Sequence, residues 1–216
     1  MPAKVQRVVL VVIFLIASVP AIAQSSRKHP DSPKDVYQRF RQMDAAGKRL
    51  TRKGWYEASV FFVKPSPRPA RFTMMIAEGE DVGDPKVGGD HAQLWVRYGA
   101  FARVDSSGRL YDPMSGRAYQ PNCEIPMGQE YRLVHASAHW EFERDGKTLR
   151  QVNGPPEWRI EPFDSEPRIP LDIAIHYLTG LRDHTDSPVI RKNAERSLKI
   201  LLDLRRSKGR RGASAC

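Results

Sequence analysis

From residue 33 onward, apolar positions recur at helical spacing. Val36, Phe40, Met43, Gly47 and Leu50 follow one another at steps of four and three, which puts them on one stripe of a helix. Ser32 stands where an N-cap belongs. Pro33 follows at the first helical position, where a missing N–H costs nothing. Thr51 caps a second, shorter helix that carries Trp55, Ala58 and Phe62. The segment Lys64-Pro65-Ser66-Pro67-Arg68-Pro69 ends it, because three prolines cannot continue helical hydrogen bonding.

The period then changes to two. Phe72, Met74 and Ile76 alternate with Thr73, Met75 and Ala77, and Ala92, Leu94, Val96 and Tyr98 alternate with Gln93, Trp95 and Arg97. Each run predicts a strand with two distinct faces. A Gly/Asp/Pro turn region covers residues 79–90, and residues 105–128 are turn-rich. Gly99 marks a bulge or sharp bend, past which Phe101 to Val104 prolong the strand. Alternation resumes at Tyr131 to His135 and extends toward Phe142. Asp145-Gly146 has the chemistry of a hairpin turn. Leu149 to Val152 and Glu157 to Ile160 read as two short strands flanking Asn153-Gly154-Pro155-Pro156.

The last third is helical again. Pro170 opens a segment with Leu171, Ala174, Ile175, Leu178 and Leu181 on one face. Asp186 or Ser187 caps the next helix, with Pro188 first and Ile190, Ala194, Leu198, Leu201 and Leu202 as its stripe. The short link 183–187 favours an antiparallel helix pair. Helices, then sheet, then helices is the order of an α+β fold, not an alternating α/β one. The prediction is a curved antiparallel sheet forming a cone around the N-terminal helices, plus a C-terminal helical hairpin. Residues 33–204 form this one domain, with about 170–204 as the two-helix extension.

Upstream of that domain, Lys4 and Arg7 precede an unbroken run of 12 apolar and small residues, Val8 to Val19. A membrane-spanning helix needs about 20 such residues. Pro20 breaks the run, and Ala21-Ile22-Ala23 supplies small residues where a signal peptidase reads them. Residues 1–23 therefore read as a signal peptide cleaved after Ala23, which predicts an exported protein, periplasmic or secreted. No cysteine follows the run to take a lipid anchor. Residues 24–32 read as a polar linker.

Export changes the meaning of the charge. Lys4 and Arg7 are the only charged residues of 1–23, so cleavage leaves +8 of the formal +10. Much of that excess is terminal: Arg27 and Lys28 at one end, Arg205, Arg206, Lys208, Arg210 and Arg211 at the other. Without these the body is close to neutral, and residues 205–216 read as a basic flexible tail able to hold an envelope polyanion. No nucleic acid is expected, because the chain is exported and no stacking aromatic stands among those basic residues. The two cysteines are too few for a disulfide scaffold or a four-cysteine zinc module. Cys123, within the loop-like stretch QPNCEIP, reads as a free thiol, since Cys216 ends the chain.

The order helix, short helix, bent sheet with a glycine in a long strand, and a strand reading Glu157-Trp158-Arg159-Ile160 resembles the nuclear transport factor 2-like superfamily in its SnoaL-like branch. The likeness covers about residues 33–162 and leaves the C-terminal helices as an addition. It implies a cone with a pocket at its open end. It decides little about activity, because that superfamily holds isomerases, dehydratases, epoxide hydrolases and non-catalytic members alike.

Candidate chemistry follows from strand position. On one face of a strand, Tyr131, Leu133, His135, Ser137 and His139 fall together. His135 has the titration range of a general base, and Asp105 is the carboxylate candidate. Trp95, Arg97 and Tyr98 on the neighbouring strand complete a ligand pocket with Tyr131 and His135. No cofactor motif appears: Gly88-Gly89 lacks the Lys-Ser/Thr of a phosphate loop. No metal set appears either, because His135 and His139 on a strand lie about 13 Å apart. The sequence thus favours a non-catalytic module that binds a small apolar ligand or a protein partner, with homodimerisation through its open sheet face. The alternative is a small-molecule isomerase, dehydratase or hydrolase using a pocket histidine as general base.

Overall fold

The computed structural model describes residues 31–119, 124–143 and 147–210. Residues 1–30, which include the segments read as signal peptide and linker, Cys123, Cys216, Asp145-Gly146 and residues 211–216 lie outside the described residues.

Helix α1 spans Pro33–Ala45 and begins as its sequence predicts. Ser32 Oγ accepts from the Asp35 N–H while Asp35 Oδ2 accepts from the Ser32 N–H at 2.9 Å, so two end groups satisfy each other. The helix stops before Gly47, which sits at φ +67 with its Cα facing Ile173. A β-carbon there would lie 2.8 Å from Ile173 Cγ2. Leu50 therefore belongs to a following 3₁₀ turn, Lys48–Leu50, and not to the α1 stripe. Thr51 caps α2, Arg52–Glu57, through its hydroxyl to the Gly54 N–H. Ala58–Phe61 tighten into a second 3₁₀ turn, and Phe62 is already extended.

Seven strands form one curved, unclosed sheet in the order β6-β5-β3-β1-β7, with β2 and β4 also paired to β3. They are β1 Thr73–Val82, β2 Lys86–Gly88, β3 His91–Asp105, β4 Leu110–Tyr111, β5 Ile125–Phe142, β6 Leu149–Glu161 and β7 Arg168–Ile169. The sheet is mixed, not purely antiparallel: β7 runs parallel to β1, pairing Met75 with Arg168 and Ile76 with Ile169. Two residues are too few to show alternation, which is why the sequence hides this strand. The expected turn regions also hold strand: β1 continues to Val82, β2 follows it, and β5 starts at Ile125.

The two short strands predicted around Pro155-Pro156 are one strand, β6. Opposite Ala136 and Ala138 the register jumps from Glu157 to Asn153, and the irregularity absorbs the prolines. Prolines are tolerated there because β6 is an edge strand. In β3 the irregularity falls at Phe101, since Ile76 pairs with Ala102 and Ala77 with Ala100. Gly99 has another reason: a β-carbon there would lie 1.7 Å from Glu124 Oε1.

The bulge exchanges the faces of β3. Before it, Leu94, Val96 and Tyr98 pack with Val36, Tyr37 and Phe40 of α1. After it, Ala102 and Val104 pack with the C-terminal helices α3, Leu171–His184, and α4, Pro188–Arg210. Helix α4 reaches Arg210, so Arg205, Arg206 and Lys208 are helical and do not belong to a flexible tail. Lys208 Nζ lies 2.6 Å from Glu78 Oε2 and 3.6 Å from the Phe101 ring centroid. Among the described residues no helix is long and apolar enough to cross a membrane.

Candidate functional site

Four residues after Phe40, on the buried face of α1, stands an acid. Asp44 has no solvent exposure. It accepts from Arg41 Nη1 at 2.7 Å, from Arg49 Nε at 2.5 Å and Nη2 at 2.6 Å, and from the Arg168 backbone N–H at 3.1 Å. The Gly47 turn is what folds Arg49 back onto the helix it has just left. Arg49 is itself fully buried, donates to the Asp164 carbonyl, and lies 4.6 Å over the Phe40 ring. Ion pairs of this kind cost desolvation and are retained only when nearly every donor finds an acceptor.

Arg168 enters the same cluster from β7. Its Nη2 donates to Tyr37 Oη at 2.6 Å and to Tyr131 Oη at 2.7 Å. The guanidinium lies 4.3 Å over the Tyr98 ring, and Nη1 is 3.4 Å from Glu80 Oε2. Each tyrosine passes its own proton on: Tyr37 Oη donates to Glu80 Oε1 at 3.1 Å, Tyr131 Oη to Asp164 Oδ2 at 2.9 Å. Burial pushes the Tyr131 hydroxyl well above its ordinary range, and Asp164 adds to it. Burial likewise raises Tyr37 and Tyr98, against the pull of Arg168. All three hydroxyls stay protonated at neutral pH.

A cleft of about 420 Å³ lies against this cluster. Arg168, Tyr98 and Asp164 line it, with Met75, Met127 and Phe163 as apolar wall and Arg103 and Glu166 among its polar residues. Glu166 is held by Arg103 Nε at 2.9 Å and by the Thr73 hydroxyl at 3.0 Å. Asp164 Oδ1 accepts from the Glu166 N–H at 3.0 Å. A second cleft, about 650 Å³, shares Tyr98 and is lined by Gln38, Arg41, Glu80 and Val82.

The fold brings two of the sequence-predicted residues into this site, Tyr98 and Tyr131, joined through Arg168. The others lie elsewhere. Trp95 is 52% exposed on the opposite face of β3, against Gly128, where a β-carbon would lie 2.7 Å from its ring. Arg97 shares that outer face and pairs with Asp81 at 2.6 Å. His135 is exposed, its ring 5.0 Å from that of Trp158, and it lines neither cleft. On the face that runs from Tyr131 to His139, Tyr131, Leu133 and His139 are buried while His135 and Ser137 between them are exposed. His139 is buried with Nε2 2.8 Å from Glu141 Oε1. Asp105 organises the β3–β4 turn, accepting from the Ser107 N–H and hydroxyl, the Arg109 N–H and the Tyr111 hydroxyl. Burial raises its carboxyl, but these bonds outweigh burial and hold it below the usual range.

Sequence reasoning missed Asp44, Arg49, Asp164 and Arg168. One signal was present: Val36, Phe40 and Asp44 share a face, so an acid sits on the buried stripe. The chain matches no family model, no curated protein and no solved structure.

Proposed function

We propose that this chain is an exported binding module of the nuclear transport factor 2-like, SnoaL-like kind, a cone with a C-terminal helical hairpin. It takes up a small, largely apolar molecule in the cleft beside Tyr98 and Arg168 and does no chemistry on it. One observation carries this reading: the two carboxylates along the cleft already hold hydrogen bonds. Asp164 accepts from Tyr131 and from the Glu166 N–H, and Glu166 from Arg103 and Thr73. A general base needs a free lone pair near the working pH, and the tyrosines here remain protonated. What the cleft does offer is Met75, Met127, Phe163 and the Tyr98 ring, the apolar lining of a small-molecule site. Export rests on the N-terminal pattern. Association with an envelope polyanion rests on the basic C-terminus, and homodimerisation on the open sheet face that carries Trp95.

Titrating residues 24–216 with the neutral apolar dye Nile red tests the reading. Saturable binding is expected, lost in Ser165→Trp and Met127→Trp, which place an indole at the cleft. Binding that survives both substitutions overturns it. Mass spectrometry of the exported chain checks the other half, with a mature N-terminus at Gln24 as the expected result.

A further inference from the structure

The charged groups beside the cleft balance one another. Arg41 pairs with Asp44 and Glu80, Arg49 with Asp44 and Asp164, Arg103 with Glu166, and Arg168 with Glu80. Four guanidinium groups thus meet four carboxylates. A charged ligand would add an uncompensated charge to a largely buried, neutral group of ions.

Gln129 lines the same cleft and is uncharged. Strand parity sets where its side chain goes. Met127, Gln129 and Tyr131 share one face of β5, while Gly128 and Glu130 between them are exposed on the other. Gln129 pairs across with Val96, which is buried against α1. Its side chain therefore stands on the interior side of the sheet, half-buried, with Tyr98, Met127 and Phe163 as fellow lining residues. Among the described residues the carboxamide holds no hydrogen bond, and neither of its polar atoms is closed off from solvent. A carboxamide accepts through its oxygen and donates through its two hydrogens. Water meets both needs while the cleft is open. A molecule that fills the cleft displaces that water and must replace its hydrogen bonds or lose affinity.

We infer that Gln129 sets the specificity of the cleft: the molecule held there carries, on an apolar body, an uncharged group that both donates and accepts, such as a primary amide or an alcohol, and this group pairs with the Gln129 carboxamide. The inference rests on the cleft-binding reading above. The apolar body lies against Met75, Met127 and Phe163. A carboxylate would match only the carboxamide hydrogens and leave its oxygen without a donor. An ammonium group would match only the oxygen.

Three probes of one shape test this: 1-naphthaleneacetamide, 1-naphthaleneacetate and 1-ethylnaphthalene. Each is titrated into residues 24–216 and into the Gln129→Leu variant, whose urea midpoint shows whether it folds. In the unaltered chain the amide is expected to bind about tenfold or more tighter than the acid. In Gln129→Leu the affinity ratio of amide to hydrocarbon is expected to fall about tenfold, the effect of a hydrogen-bonding group left without its partner. A ratio that stays the same overturns the inference, because a merely structural glutamine would weaken both probes alike. Equal binding of the acid and the amide to the unaltered chain overturns it too. Should Gln129→Leu not fold, the carboxamide NH₂ resonances of Gln129, assigned through bonds from its own backbone, carry the test. The amide is expected to shift them, and unmoved resonances overturn the inference. If none of the three probes binds while Nile red does, the inference falls and the cleft reading stands. If Nile red also fails to bind, the cleft reading itself has failed.

Discussion

The two faces of β1 look onto two different interiors. Met74 and Ile76 enter a cluster with Phe101, Val104, Leu171, Leu178, Ala194, Leu198 and Leu201, in which the buried side chains are almost purely apolar. Its polar contacts lie at the margin, such as the Ser197 hydroxyl to the Gly108 carbonyl at 2.7 Å. Met75 enters the other cluster, with Tyr37, Phe40, Tyr98 and Tyr131. Into that one the chain also puts Asp44, Arg49 and Arg168. The first interior is what burial of apolar area produces by itself, and it tolerates any well-fitting hydrophobic replacement. The second is costly to assemble and unforgiving of single changes, because each charge depends on a partner from a distant element. The cleft lies against the second, where fixed donors and ring faces can orient a molecule. The dry cluster serves to hold β1 and β7 in place for it.

The comparison breaks hardest at Asp44. Asp44→Ala strips Arg49 and Arg41 of their acceptor and is expected to destabilise by about 3–5 kcal/mol, read from urea unfolding midpoints. The double variant Asp44→Ala/Arg49→Met, which removes the stranded charge as well, should recover most of that loss. A double variant no better than the single would mean the ion pair is not what matters there. In the dry cluster, Leu178→Ala should cost about 3 kcal/mol through the cavity it leaves, with no change in Nile red affinity. A clear loss of dye binding in that variant would show the two interiors to be coupled.

Alkali should separate the regions next. Tyr37 and Tyr131 titrate above their unfolded value, so below pH about 10 both states are protonated and the stability these hydroxyls contribute is fully present. Above that, the unfolded tyrosines ionise first, and stability should fall by about 1.4 kcal/mol per pH unit for each buried hydroxyl. Urea midpoints at pH 9 and pH 11 give the slope, which should be shallower in Tyr131→Phe. An identical slope in that variant would count against the assignment. The smallest effect belongs to His135→Ala: an exposed side chain outside both clefts should change stability by less than about 0.5 kcal/mol. Dye affinity should stay as it was. A several-fold loss there would restore the histidine to the site.

Much of the local structure was legible in the chain. The Ser32 cap, the Thr51 cap, Pro188 at the start of α4 and the alternation of β3 are all short-range patterns, and each folds as read. The failures have physical causes. Pro155-Pro156 predicts a break between two strands, but on an edge with a register shift opposite it one strand runs through. The basic cluster after Leu204 predicts fraying, but Lys208 finds Glu78 and the Phe101 ring and the helix continues. The expected pocket joined both faces of β3, and Trp95 and Arg97 point away from the face that buries Tyr98. His135 keeps the parity of Tyr131 but lies further along β5, where that face is exposed.

By itself, then, the sequence determined where helices start, where the alternating parts of the long strands run and which side of each helix is buried. These depend on neighbours a few residues apart, where capping, period and proline chemistry act directly. Only the tertiary structure decided which charges meet. Asp44 finds the Arg168 N–H 124 positions along the chain, and Arg168 finds Tyr37 across 131. No local pattern encodes those pairings. They exist because β7 docks parallel beside β1 and delivers an arginine to a space that α1 had already lined with an acid and a tyrosine.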